Sequence, residues 1–264
     1  MVIDSIGYFV VAPGAAGVAA AAVANDSLVV KNCNLDKRVE LISWWAKNQV
    51  SGFHQLTWPS GNDQTRGIRS RVVLAEVYPR FAREWAPVIR PQEAVAVTVG
   101  GSAVAGDVEC GVLQYFFEDM PGVNSNLIMP DELYTRGIKA VSVEDTTGAP
   151  TSSQWSGSRA LNANFDLLQA NTDYAVLGVN IGALCGALAL RGPDIGNLRM
   201  AVPGLPTNAL LTESYFLDLC ETSGWPCIPV INSANKGSTF TDVLQDENVV
   251  VVPFSWNLVQ LAPR

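Results

Sequence analysis

Reactive chemistry is what this chain has least of. It holds one histidine, His54, and charged residues fill only 16% of its 264 positions. A single histidine removes most catalytic dyads and triads unless that residue serves them itself. His54 lies in SGFHQLTWP between apolar neighbours, the setting of a packed, hydrogen-bonded core histidine. No GxSxG, P-loop or GxGxxG occurs, and the glycine-rich stretch 178–186 has no lysine after it to hold a phosphate. The acidic pairs Glu118-Asp119, Asp131-Glu132, Glu144-Asp145 and Asp246-Glu247 are sequence neighbours. On a strand such neighbours point to opposite faces, which makes them poor acid/base partners. No enzymatic activity is expected.

Positive charge is scarce too. Seventeen Lys and Arg against 25 Asp and Glu leave a net charge of −8, with an isoelectric point near 4.7. The first positive charge is Lys31, so no basic arm is expected, and the Lys/Arg footprint that nucleic-acid binding needs is missing. Low charge beside a 48% hydrophobic content implies that much of the exterior is covered, with neighbouring subunits as the expected cover. The five cysteines, Cys33, Cys110, Cys185, Cys220 and Cys227, form no CxxC or Cys/His cluster. Zinc is therefore not expected, and free thiols suited to a reducing cytoplasm are. No cofactor is expected either. Asp63 beside Asn62, and Asp194 near Asn197, are weak candidates for a structural Ca²⁺ between subunits. The uncharged stretches 6–24 and 174–190 are interrupted by Pro13-Gly14 and by glycines and Asn180 respectively. Both read as buried strands joined by tight turns, and no transmembrane helix is expected.

What the chain does have is an order of apolar runs. In the front half, runs at 5–11, 17–24 and 27–32 precede a helix expected over 35–49. Asn34 is its N-cap, and Leu35, Val39, Ile42 and Ala46 fall at helical spacing. Trp44 and Trp45 are adjacent and cannot share a face, so one must reach a neighbouring layer or subunit. Extended segments follow at 53–58, 68–77, 94–99 and 108–117, with Pro79, Pro87 and Pro91 marking irregular chain between them. A turn-rich joint at 119–137 sets the expected boundary between an N-terminal domain, 1–130, and a C-terminal domain, 131–264.

The back half is clearer. Runs at 138–145, 163–169, 173–180, 183–190 and 196–202 read as strands, 208–222 as a helix, and roughly three strands close the chain. Five strands, a helix and three strands make an eight-stranded jelly roll with one helical insertion. The Ser/Thr/Gly-rich stretch 145–160 reads as a loop, functional or at an interface. Trp58, Trp155 and Trp225 lie in turn-like contexts, which fits either a sugar platform or subunit contacts. Trp44, Trp45, Trp155 and Trp225 are the expected interface residues.

Residues 171–204 (NTDYAVLGVNIGALCGALALRGPDIGNLRMAVPG) are followed by the helix and then by CIPVINS and VLQDENVVVVPFSWNLVQL. This order resembles the coat proteins of small tailless bacteriophages with internal membranes, in which two jelly rolls are fused in one chain. In front, 52–69 (GFHQLTWPSGNDQTRGIR) is similar to a strand–loop–strand segment of such coats. The resemblance covers most of the back half, is much weaker in front, and has no short diagnostic motif. With the two helices read above, it implies a mainly β chain of two jelly-roll sandwiches with a flanking helix in each half. It further implies upright subunits forming trimeric, pseudo-hexagonal capsomers of an icosahedral shell, assembled in the host cytoplasm and located in the virion. The partners would be the chain itself, minor capsid proteins and an internal membrane. The competing expectations are another virion β-sandwich (spike, minor shell or tail protein) and a carbohydrate-binding β-sandwich.

Overall fold

In the computed structural model, strands dominate both halves. The structure describes the chain except for residues 12–13, 15, 35, 48–51, 62–64, 66, 73–74, 78–80, 102–106, 162–167, 205–211 and 247–248. The front half contains β1 (Val2–Val11), β2 (Val18–Ala19), β3 (Ala21–Ala22), β4 (Val39–Lys47), β5 (Gly52–Thr57), β6 (Ile68–Val72), β7 (Ala75–Val77), β8 (Ala96–Gly100) and β9 (Val108–Phe117). The back half contains β10 (Leu127–Ile128), α1 (Pro130–Arg136), β11 (Gly137–Thr146), β12 (Trp155–Ala160), β13 (Asp173–Ile181), β14 (Ala187–Arg191) and β15 (Arg199–Pro203). After these come α2 (Tyr215–Ser223), β16 (Ile228–Asn232), β17 (Phe240–Leu244) and β18 (Pro253–Leu261).

The pairing order identifies the architecture. In the back half the sheets run β10-β16-β13-β18-β11 and β12-β17-β14-β15. Counting β11 to β18 as one to eight, the complementary pairs are one with eight, two with seven, three with six and four with five. That is a long hairpin rolled over on itself, the jelly roll. The front half repeats the order, with sheets β3-β1-β9-β4-β7 and β2-β8-β5-β6. There β2 and β3 together form the second strand. The first piece pairs with β8 and the second with the end of β1, so the strand turns a corner between the two sheets.

The helix expected over 35–49 is instead the strand β4, so a flanking helix in the front half is corrected. Its register against β9 shifts between Leu41 and Ser43, a bulge that reverses which side chains point inward. Val39, Leu41, Trp44 and Ala46 enter the front core, whereas Ile42 and Trp45 enter the core shared with the back roll. Burial on both faces plus one bulge produces apparent helical spacing in a strand of valine, leucine, isoleucine and tryptophan. A second correction concerns 145–160, read as loop, which contains β12. Its low-propensity WSGSRA sequence carries a register shift between Ser156 and Arg159 and a left-handed Gly157 at φ 61°. The strand expected at 163–169 lies almost wholly outside the described residues. The back helix is described from Tyr215, later than the expected 208, and 205–211 lie outside the described residues. In the stretch read as a joint, α1 begins at Pro130 with Asp131 and Glu132 in its first turn, an ordinary N-terminal signature.

The four sheets take residues 2–117 for the front roll and 127–261 for the back, yet the larger apolar core crosses between them. It joins Ile3, Ile42, Trp45, Cys110, Val112 and Phe116 of the front to the back roll's interior. Every residue of β9 is buried because both of its faces are covered. No helix among the described residues is long and apolar enough to cross a membrane.

Candidate functional site

The expected interface tryptophans are enclosed within this one chain. Trp44 donates its indole N–H to the Tyr8 hydroxyl (2.8 Å), and Trp45 reaches across to Gly186 O (3.0 Å). Trp225 stacks on Phe116 at 4.2 Å between centroids, while its N–H donates to Glu40 Oε2 (2.7 Å) and the Arg83 guanidinium lies over its ring. Trp155 donates to Asp26 Oδ2 (2.9 Å). Three of the four therefore bridge the two rolls. Adjacency correctly sent Trp44 and Trp45 to different layers, and both layers belong to one molecule.

Around them a polar seam sets how the rolls sit together. Arg199 on β15 is 3.0 Å from Asp26 and 3.4 Å from Asp242, which Arg191 also reaches at 2.8 Å. Burial raises the Asp26 carboxyl above its ordinary range, despite the Gly7 amide, the Arg199 charge and the Trp155 donor. Burial pushes Asp242 the same way, but the bonds from Arg191 and Ser158 outweigh it and hold the carboxyl below its usual range. Further along, Tyr215 on α2 donates to Gln114 Oε1 (2.8 Å), and Gln114 Nε2 donates to Ala201 O (3.1 Å). Ser5 Oγ accepts from Ala201 N (3.0 Å). The corner at Gly186 meets Trp45 and Cys110, and Arg199 at the other end of β15 meets the Asp4 end of β1. The rolls thus lie side by side in the same sense.

His54 is enclosed in the front roll, with Nδ1 2.9 Å from the Tyr8 hydroxyl and Nε2 3.9 Å from Glu109. Burial lowers its pKa from 6.5 to about 3, as expected of a packed core histidine. Asp194 sits in the 3-10 turn Pro193–Ile195, where its carboxylate accepts from Asn232 N (2.9 Å) and Asn235 Nδ2 (2.8 Å). It braces that turn against the 233–238 segment, and Asn197 is left-handed at φ 56°. Asp63 lies outside the described residues. Among the described residues no three His, Cys, Asp or Glu side chains are grouped to hold a metal, and all five cysteines are buried.

The surface that stands out is one face of the back roll. β11 ends its sheet, and only Val143 and Asp145 of its ten residues are buried. Ile138, Ala140, Ser142 and Glu144 point outward, beside Val259, Asn257 and Ser255 on β18. With α1 and α2 alongside, this strip holds shallow depressions among the described residues, including ones of about 350, 330 and 210 Å³. The first is the most apolar, lined by Leu133, Tyr134, Ile138, Leu177, Leu217 and Val259 among others. Tyr134 is 66% exposed and Ile138 58%. Sequence reading missed this face because its strand looks like any other half-buried strand. The available signal was the run of outward Ile138, Ala140 and Ser142 without a charge among them.

No family model matches the chain, and no curated protein matches it in sequence. Among solved structures, the crystal structure of the PBSX exported protein XepA aligns over 98% of this chain and 86% of its own, at 7% identity and a TM-score of 0.29. A likeness at that level carries no argument about fold or function, so the functional reading rests on the geometry described above.

Proposed function

We propose that this chain is a structural coat protein that assembles with copies of itself into trimeric, pseudo-hexagonal capsomers of a closed virion shell. One observation carries the reading: two jelly rolls of the same strand order stand side by side in one chain, in the same sense. Three such chains supply six alike rolls, enough to tile a hexagonal position by three-fold symmetry. The step from architecture to assembly is one of analogy. It gains support from the low charge of the chain and from a seam that would hold each pair of rolls in a fixed relation. Minor shell proteins and an internal membrane would be its other neighbours, no substrate would be turned over, and no direct grip on nucleic acid is proposed.

The test is to follow mass by sedimentation and mass photometry as concentration rises, with negative-stain microscopy of the same material. Trimers and hexagonal arrays or shells are expected. Protein that stays monomeric at high concentration with no particles in the field would refute the reading. In native particles, copy number separates a shell subunit from a spike or tail component.

A further inference from the structure

The front roll shows how the outer face of such a sheet is filled. Its β1-β9-β4 face is buried against the back roll, which contributes the edge strand β15 and the side chains of Tyr215 and Trp225. β15 is the fifth strand of its roll and ends its sheet. The equivalent face of the back roll is built from β11, β18 and β13, and among the described residues its β11–β18 strip carries only the rims of α1 and α2. A face covered by a neighbouring roll in one half is therefore open in the other.

The unused counterpart of β15 is also present. It is β6, the fifth strand of the front roll, which likewise ends its sheet. An arginine recurs as well. Arg199 on β15 meets Asp26 and Asp242, while β6 presents an exposed Arg69 whose guanidinium lies 3.6 Å over Phe53. Along the open strip Glu144 and Glu213 line two of the depressions, and among the described residues Lys139 is the one charged residue lining the apolar hollow.

We infer that the β11–β18 strip of the back roll docks the β6 edge of the front roll in a second copy of this chain. The inference rests on the shell reading and names the surface through which that assembly closes. The contact is head-to-tail, with different patches on the two partners, and such contacts generate a ring when their rotation completes a circle. Seams within and between chains then alternate around six rolls.

The experiment uses the full chain. Ile138→Arg places a charge in the apolar hollow at an exposed position, so the monomer should keep its wild-type circular dichroism and melting temperature while assembly is lost at least tenfold in concentration. In parallel, Arg69→Cys combined with Ser142→Cys is treated with a short bis-maleimide linker, the native thiols being buried. Covalent species up to the trimer are expected from the double variant and none from either single variant. A trimer that survives Ile138→Arg, or dimers linked through Ser142→Cys alone, would overturn this surface while leaving the shell reading intact. A wild-type chain that never leaves the monomer overturns both.

Discussion

A buried hydrogen-bond chain runs from Trp44 through Tyr8 to His54, and it makes the one imidazole a pH-dependent liability. The native state refuses a proton that the unfolded chain accepts below about pH 6.5, because burial holds the folded pKa at about 3. Unfolded protein then binds more protons, so stability falls as pH drops from about 6.5 towards 3. By pH 5 the loss is about 2 kcal/mol. Urea unfolding at pH 7 and pH 5 should show it, and His54→Gln, which keeps an acceptor near Tyr8 but does not titrate, should remove most of the difference. Trp225→Phe probes a different residue-scale effect. It preserves the stack on Phe116 but leaves the fully buried Glu40 without its indole donor. A cost of about 1–3 kcal/mol is expected in the same assay. The residues' environments were legible in part: His54 read as packed, and Trp44 and Trp45 read as parted. That the partners of Trp45, Trp155 and Trp225 lie in the other half of the same chain was not legible, since pairs such as Trp225 and Glu40 are 185 residues apart.

At the scale of elements, β4 shows how a strand imitates a helix. Local pattern assumes one apolar face and one wet face, and β4 has two dry ones with a bulge between. The back roll was easier to read, since four of its five expected leading strands, the helix and three closing strands lie near their expected places. The strand expected at 163–169 falls almost wholly outside the described residues, and β12 lies instead in a stretch read as loop because it carries too few apolar residues to announce itself. Packing at α2 supplies a prediction. Gly178 lies at a register shift in β13, and a Cβ there would collide with Thr212 O in the segment leading into α2. Gly178→Ala must push that backbone away, at a cost of about 1–3 kcal/mol. Thermal melts followed by circular dichroism should show a clear drop. An unchanged melting temperature would mean that this approach is not tight in solution.

For the molecule as a whole, the seam makes the two rolls one cooperative unit, because the larger core draws side chains from both. Calorimetry should therefore give a single unfolding transition. Arg199→Ala removes the guanidinium that stands between Asp26 and Asp242, leaving Asp26 without its ion-pair partner in the seam. A loss of about 3–5 kcal/mol is expected, and separation into two transitions would show that this one side chain couples the rolls. Asp242 adds an acid limit. Its folded pKa lies below the unfolded value, so its contribution is present above about pH 4 and disappears as pH falls through the folded pKa.

By itself the sequence determined the β class, most strands of the back roll, the packed histidine and the lack of a basic footprint. These follow from alternation, turn residues and net charge, which are local or additive. Tertiary structure alone decided that 39–47 is a strand, that the front half closes as a second roll through pairs such as Val2 with Phe117, and that β11 has an open face. Each depends on what lies against a residue's far side, and in a jelly roll the rolled-over chain brings that neighbour from a distant part of the sequence.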